Sequence, residues 1–266
     1  MDNDKDHLPL PRQAVLPLNR CNLPAMILAG LHFQRHPSPL YIDGVADLHR
    51  DLFQRLDRLS EANLRAEQFI DYMSVRFRLH ALDEAGFDPQ LRVDRHKADY
   101  LRLLRGWSFD SEGRDAAVLK GWVESRFGLL PRFHQGPIRS GEDENYRRYQ
   151  QACADGLYNT NALHVQLDLL YSYCQYELSR QHAQQPLILY RGSNGTEERA
   201  TNILLLNNIN SFSHNIERAG EFGDAVWRIA VPAAKVFFYA ELLPRYLKAE
   251  REVMVIGGLY RAERVM

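Results

Sequence analysis

The strongest constraint in this sequence is a change of period. From Val45 to about Arg180 apolar residues recur every three or four positions, the spacing of a helix buried along one face. After Pro186 they collect instead into short β-branched and aromatic runs. Three stripes carry the first pattern: Val45, Leu48, Leu52, Leu56 and Leu59; Ala66, Ile70, Met73 and Phe77; and Leu163, Leu167, Leu170, Cys174 and Leu178. Further helices are predicted over 98–105 and 114–127, the second stopped by Gly128 and Pro131. Residues 131–145, with two prolines, two glycines and the cluster Glu142-Asp143-Glu144, read as a loop and as the best internal boundary or mobile insertion. The second pattern predicts strands at Leu187–Tyr190, Val226–Val231, Val236–Tyr239 and Val253–Ile256. One helix interrupts them, capped by Ser213, with Ile216, Ala219 and Phe222 on its apolar face and its end at Gly223. Helices first and strands afterwards specify an α+β fold, not a doubly wound parallel sheet.

Composition narrows the class. At 45% hydrophobic and 25% charged over 266 residues, the chain is neither collagen-like, disordered nor a coiled coil, and its length suits two domains or one with a large appendage. Thirty-three Lys and Arg against 34 Asp and Glu leave a net charge of −1, so the chain as a whole has no electrostatic footprint for nucleic acid or anionic lipid. Its longest apolar runs, Ile203-Leu204-Leu205-Leu206 and Met26-Ile27-Leu28, fall far short of the ~18 to 20 residues of a membrane span. The acidic start Met1-Asp2-Asn3-Asp4-Lys5-Asp6 is unlike an export signal, and a cytoplasmic protein is expected. Cys21, Cys153 and Cys174 are odd in number, widely spaced and never in a C-x-x-C pair, which suits reduced thiols.

Few motifs carry chemistry. His32 and His36 lie four apart, but Pro37 follows and no metalloprotease-type glutamate stands between them, so a packing pair is expected and no metal site. There is no phosphate-binding loop, dinucleotide fingerprint or nucleophile elbow. Arg191-Gly192-Ser193-Asn194-Gly195 ends a predicted strand and offers an arginine and backbone amides to an anion. Glu250-Arg251-Glu252 runs into Val253-Met254-Val255-Ile256, and on a strand its two carboxylates would project from one face about 6 to 7 Å apart. Such a pair can bracket a sugar-like carbon and stabilise an oxocarbenium ion. It is equally the charged entry to an edge strand. Ser211-Phe212-Ser213 sets two hydroxyls on one side of a strand end, where helix capping accounts for Ser213 and leaves Ser211 unassigned.

In chain order, these elements resemble the R-S-E pattern of the arginine-specific ADP-ribosyltransferases. Tyr190-Arg191-Gly192 matches the R element, Ser211-Phe212-Ser213 the S element and Glu250-Arg251-Glu252 the E-x-E element, with Ala219-Gly220-Glu221-Phe222-Gly223 as a supporting run. The stretches 18–24, 98–132 and 156–180 are similar to the dinitrogenase reductase ADP-ribosyltransferase family, so the resemblance covers nearly the whole chain. It implies a mainly helical region, 1–155, packed on a mixed, mainly antiparallel NAD-binding core, 156–266. It also implies NAD as co-substrate, the nitrogenase iron protein as protein substrate and a PII signal protein as regulator. Glu252 then stabilises the charge developing on the ribose, Glu250 orients and deprotonates the acceptor arginine, and Ser211 orients Glu252. Arg191 holds the NAD pyrophosphate and the Gly192 backbone meets the nicotinamide carboxamide, with Tyr190 and Ser213 completing the binding site. Phe212 in place of the usual central threonine leaves open how Ser211 and Ser213 divide their work. Residues 241–249, with Tyr246, correspond to a target-recognition loop. An NAD glycohydrolase and a non-catalytic regulatory module with a vestigial NAD site are the competing readings.

Overall fold

The computed structural model describes residues 15–16, 18–79, 98–158, 160–182, 185–194, 202–244 and 252–266. Helices α1 (Ala25–Ala29), α2 (Leu31–Arg35), α3 (Val45–Leu48), α4 (Arg50–Leu56), α5 (Ala62–Phe77), α6 (Tyr100–Phe109), α7 (Arg114–Phe127), α8 (Glu144–Leu157) and α9 (Ala162–His182) come first. Strands β1 (Leu187–Ser193), β2 (Ile203–Ser213), β3 (Ala225–Val231), β4 (Val236–Tyr239), β5 (Glu252–Arg261) and β6 (Glu263–Arg264) follow, with α10 (Ile216–Gly220) between β2 and β3. The strands form one sheet in the order β4-β5-β2-β1-β3-β6, every pairing antiparallel. The fold is therefore α+β, as the change of period requires. Among the described residues no helix is long and apolar enough to cross a membrane.

Local signals account for most element ends. Asp99 opens α6 by accepting from the Leu101 N–H, Asp143 opens α8 by accepting from Asn145, and Gly128 closes α7 in the left-handed region at φ 70°. Several boundaries differ from the sequence reading. The stripe from Val45 to Leu59 is not one helix: it breaks at His49, leaving Leu48 59% exposed. α6 continues past Arg105 to Phe109. α8 follows the 131–145 loop without having been predicted, because its buried positions are largely tyrosines, Tyr146 and Tyr149, in an otherwise polar helix. The cap of α10 is Asn215, which accepts from both Glu217 and Arg218 N–H, while Ser213 Oγ accepts from the Asn215 N–H one step earlier. That helix ends at Gly220, and Phe222 is 66% exposed instead of facing the core.

One hydrophobic cluster runs through the helices and the sheet. Trp122 of α7 packs against Phe127, Tyr171 of α9 and Phe237 of β4, with ring centroids 5.4, 5.9 and 4.8 Å away. α9 is tied to the stretch entering β4 by Tyr171 Oη donating to Ala234 O at 2.7 Å and Gln175 Nε2 donating to Val236 O at 2.7 Å. Asp168 of α9 accepts from Trp122 Nε1 and from Arg126 Nε and Nη2, an ion pair buried with all its main partners in place. The pairing of β2 with β5 slips by one residue between Leu206 and Ile209. At this bulge Asn208 Nδ2 donates to Lys120 O (2.8 Å) and Leu129 O (3.0 Å), and Asn207 Oδ1 accepts from the Arg132 N–H (2.9 Å). The 131–145 segment is thus stitched to both α7 and β2. All three cysteines are free thiols, with Cys21 and Cys174 buried.

Candidate active site

The three motif strands are neighbours in the sheet. Ser213 of β2 lies opposite Glu252 of β5 on one side and opposite Tyr190 of β1 on the other. Residues directly opposite in antiparallel strands share a face, and Ser211, two positions before Ser213, shares it as well. Tyr190↔Ser213 is the one register pair between β1 and β2 among the described residues. Beyond it the strands part, and a cleft of about 290 Å3 opens between Arg191 and Ser193 on β1 and residues 204–211 of β2. Arg191 bridges the gap, its Nη1 donating to Ser211 O at 2.7 Å, and its guanidinium lies 5.8 Å from the centre of the Phe212 ring.

The helical half closes this cleft. Trp107 of α6 is 4% exposed, and its Nε1–H reaches both Glu252 Oε1, at 2.8 Å, and Ser211 Oγ, at 3.0 Å. Ser108 donates to the other oxygen, Glu252 Oε2, at 3.1 Å. Ser211 and Glu252 are therefore joined through a shared donor. Farther along the cleft, the buried Lys120 donates to Glu112 Oε1 at 3.0 Å and to Phe133 O at 3.1 Å. Burial draws the pKa of Lys120 down from the usual lysine range, and burial together with this neighbouring ammonium does the same to the His134 imidazole.

Gly192 owes its identity to a close approach of backbones. A Cβ there would sit 2.2 Å from Ala219 O, and one on Gly223 would sit 2.5 Å from Ser193 N. The run Ala219-Gly220-Glu221-Phe222-Gly223 thus lies directly on the arginine-bearing strand, which is the physical reason for two glycines facing each other.

The structure brings together Arg191, Ser211 and Glu252, with Tyr190 and Ser213 in the adjoining row. Glu250, Tyr246 and Gly195 lie outside the described residues. Sequence reasoning missed Trp107 and Ser108. Trp107 sits on the apolar stripe of α6 and reads as core, and only a neighbouring carboxylate distinguishes its indole from any other buried one. Among the described residues no cluster of three or more His, Cys, Asp or Glu is placed to hold a metal ion.

Comparison with known proteins decides the family. The model described as dinitrogenase reductase ADP-ribosyltransferase matches residues 18–264. The chain belongs to that family. A relative from Rhodospirillum rubrum, NAD(+)--dinitrogen-reductase ADP-D-ribosyltransferase, is 37% identical over 262 residues, covering 91% of this chain and 92% of its own. No solved structure matches. The family resemblance read from the stretches 18–24, 98–132 and 156–180 is thereby borne out, and the match spans the helical half as well as the sheet. In family terms, α6 and α7 are as much part of the ADP-ribosyltransferase as the strands that carry the motif.

Proposed function

We propose that this chain transfers ADP-ribose from NAD to one specific arginine of the nitrogenase iron protein, inactivating it and switching off nitrogen fixation, under the control of a PII signal protein in the cytoplasm. Family membership and the activity for which the R. rubrum relative is named support the reaction class, the co-substrate and the protein substrate. One observation carries the residue assignment: Arg191, Ser211, Trp107 and Glu252 form a continuous chain of hydrogen bonds, and the first three line the cleft. A cation at one end of this chain and a carboxylate at the other suit a ligand that offers phosphates at one end and a ribose at the other.

The chemistry follows from these groups. The glycosidic bond breaks as nicotinamide leaves with the bonding electron pair, so positive charge grows on the ribose. Glu252, held at the 2′-hydroxyl, stabilises that charge more in the transition state than in bound NAD. A guanidinium nitrogen of the target then bonds to the anomeric carbon and loses a proton. A free guanidinium has a pKa of about 12.5 or more, so a base must orient it and take that proton. Glu250 has this role. Arg191 holds the pyrophosphate by charge-assisted hydrogen bonds, the Gly192 backbone meets the carboxamide, and Tyr190 and Ser213 frame the site.

The test is intact-mass analysis of nitrogenase iron protein incubated with NAD and this chain, with Glu252→Gln as the comparison and with a PII protein and ADP present in parallel. One ADP-ribose added to an arginine by wild type and not by the variant is the expected result. Nicotinamide release without an adduct would make the protein a glycohydrolase. No NAD consumption in any mixture would make it a binding module.

A further inference from the structure

We propose that Trp107 is a positioning residue for Glu252, so that the catalytic carboxylate is aimed from the helical half and not from the strands alone. The inference rests on the reading of Glu252 as the carboxylate that acts on the ribose. Three observations carry it. The indole N–H of a buried tryptophan needs an acceptor, and here it has two, both motif residues: Glu252 Oε1 at 2.8 Å and Ser211 Oγ at 3.0 Å. The next residue of the same helix, Ser108, holds the second carboxylate oxygen at 3.1 Å. Both oxygens of Glu252 are therefore oriented by adjacent residues of α6. Third, Ser211 accepts from Trp107 with its hydroxyl and from Arg191 with its backbone carbonyl, at 2.7 Å, so the indole connects the carboxylate to the arginine across β2.

Each ionised carboxylate oxygen has two lone-pair directions, so a donor on each fixes the plane of the group and leaves room for a ribose hydroxyl. Without Trp107 the carboxylate would keep, among the described residues, the hydroxyl of Ser108, which is itself exposed and shares its one proton with Leu104 O at 3.2 Å. A reacting group displaced by about 1 Å loses on the order of 100-fold in rate. The aromatic surface of Trp107 also lines the cleft, so the test must remove the N–H and keep the ring.

The experiment compares wild type, Trp107→Phe, Ser108→Ala and a site-specific replacement of Trp107 by benzothienylalanine, which matches the indole in shape but has no N–H donor. Steady-state kinetics of ADP-ribose transfer to the iron protein give kcat and KM for NAD, and thermal unfolding gives Tm. The benzothienylalanine protein is expected to lose roughly 10- to 100-fold in kcat, with KM for NAD changed less than about threefold and Tm near wild type. A fluorinated tryptophan that keeps its N–H at position 107 should restore the rate. Full kcat in the N–H-deleted protein would overturn the proposal, as would a loss carried wholly by KM or matched by unfolding. Glu252→Gln assayed alongside separates the two levels. If it is inactive while the N–H-deleted protein is fully active, only the positioning role fails. If it is as active as wild type, the assignment of Glu252 itself falls.

Discussion

Replacing Gly192 by alanine should weaken both the fold and the activity, through backbone atoms alone. The added Cβ would lie 2.2 Å from Ala219 O and 3.1 Å from both Gly223 N and Phe222 C. Carbon–oxygen contacts of this kind ordinarily sit at about 3.3 to 3.6 Å, so the overlap is about 1 Å. No rotamer change relieves it, because every atom met belongs to the main chain. β1 cannot retreat easily, since all seven of its residues pair with Ala225–Val231 of β3. The displacement must then fall on the Ala219–Gly223 turn or on Arg191 next door. Overpacking of this type costs roughly 1 to 3 kcal/mol of stability. A shift of about 1 Å at a substrate-positioning arginine costs on the order of 100-fold in rate. Urea unfolding and NAD-concentration series for nicotinamide release, run on the same preparation, measure the two effects. Gly223→Ala, whose Cβ would meet Ser193 N at 2.5 Å, should behave alike because it opens the same interface. Wild-type stability and KM in Gly192→Ala, or losses confined to Gly192→Ala with Gly223→Ala unaffected, would refute the interlock as the reason for these glycines.

Two further predictions concern buried charge. Lys235 is fully buried, 4.4 Å from the centre of the Tyr260 ring and donating to Gly257 O at 2.8 Å, and burial draws its pKa from 10.5 down to about 7. Between pH 7 and 9 the unfolded chain therefore binds more protons than the folded one, so this group makes stability rise with pH by roughly 1 kcal/mol per unit, and its full cost is present below pH 7. Lys235→Met should flatten that slope in urea unfolding at pH 7 and 9, and parallel slopes in the two proteins would count against it. Asp168→Ala should cost about 3 to 5 kcal/mol, because it strands the Arg126 guanidinium and the Trp122 N–H in the core. A loss under about 1 kcal/mol by chemical denaturation would mean that water reaches the pair.

The sequence was most legible where one periodicity or one capping residue decides the outcome. α7 and α9 follow from long apolar stripes, and the strand half follows from its β-branched runs. α8 was hidden because tyrosines do the work of aliphatic residues there. β2 was legible only at its serines, since Asn207, Asn208 and Asn210 interrupt its apolar run. Asn207 and Asn208 are partly buried and buried because backbone groups of α7 and the 129–133 segment meet them, and no local pattern encodes such distant partners; Asn210 bonds within the strand, to Asn207 O. At the candidate site, residue types and chain order pointed to Arg191, Ser211 and Glu252. Trp107 lies 104 residues from Ser211 and 145 from Glu252, and only tertiary packing brings it to them.

The slip in β2 acts as a reading frame. Before it, Leu206 stands opposite Gly258, and after it Ile209 stands opposite Ile256, so the two halves of the strand are out of phase by one residue relative to β5. Side chains alternate with a period of two, and a shift of one exchanges the two faces. Removing Ile209 or Asn210 while the slip stays in place would therefore turn Ser211 away from the indole and bring Phe212 into its position, whereas removing the extra residue at 207 or 208 would only close the slip and leave Ser211 opposite Met254. The length of this strand, counted in residues, selects which side chain meets Glu252, independently of what those side chains are.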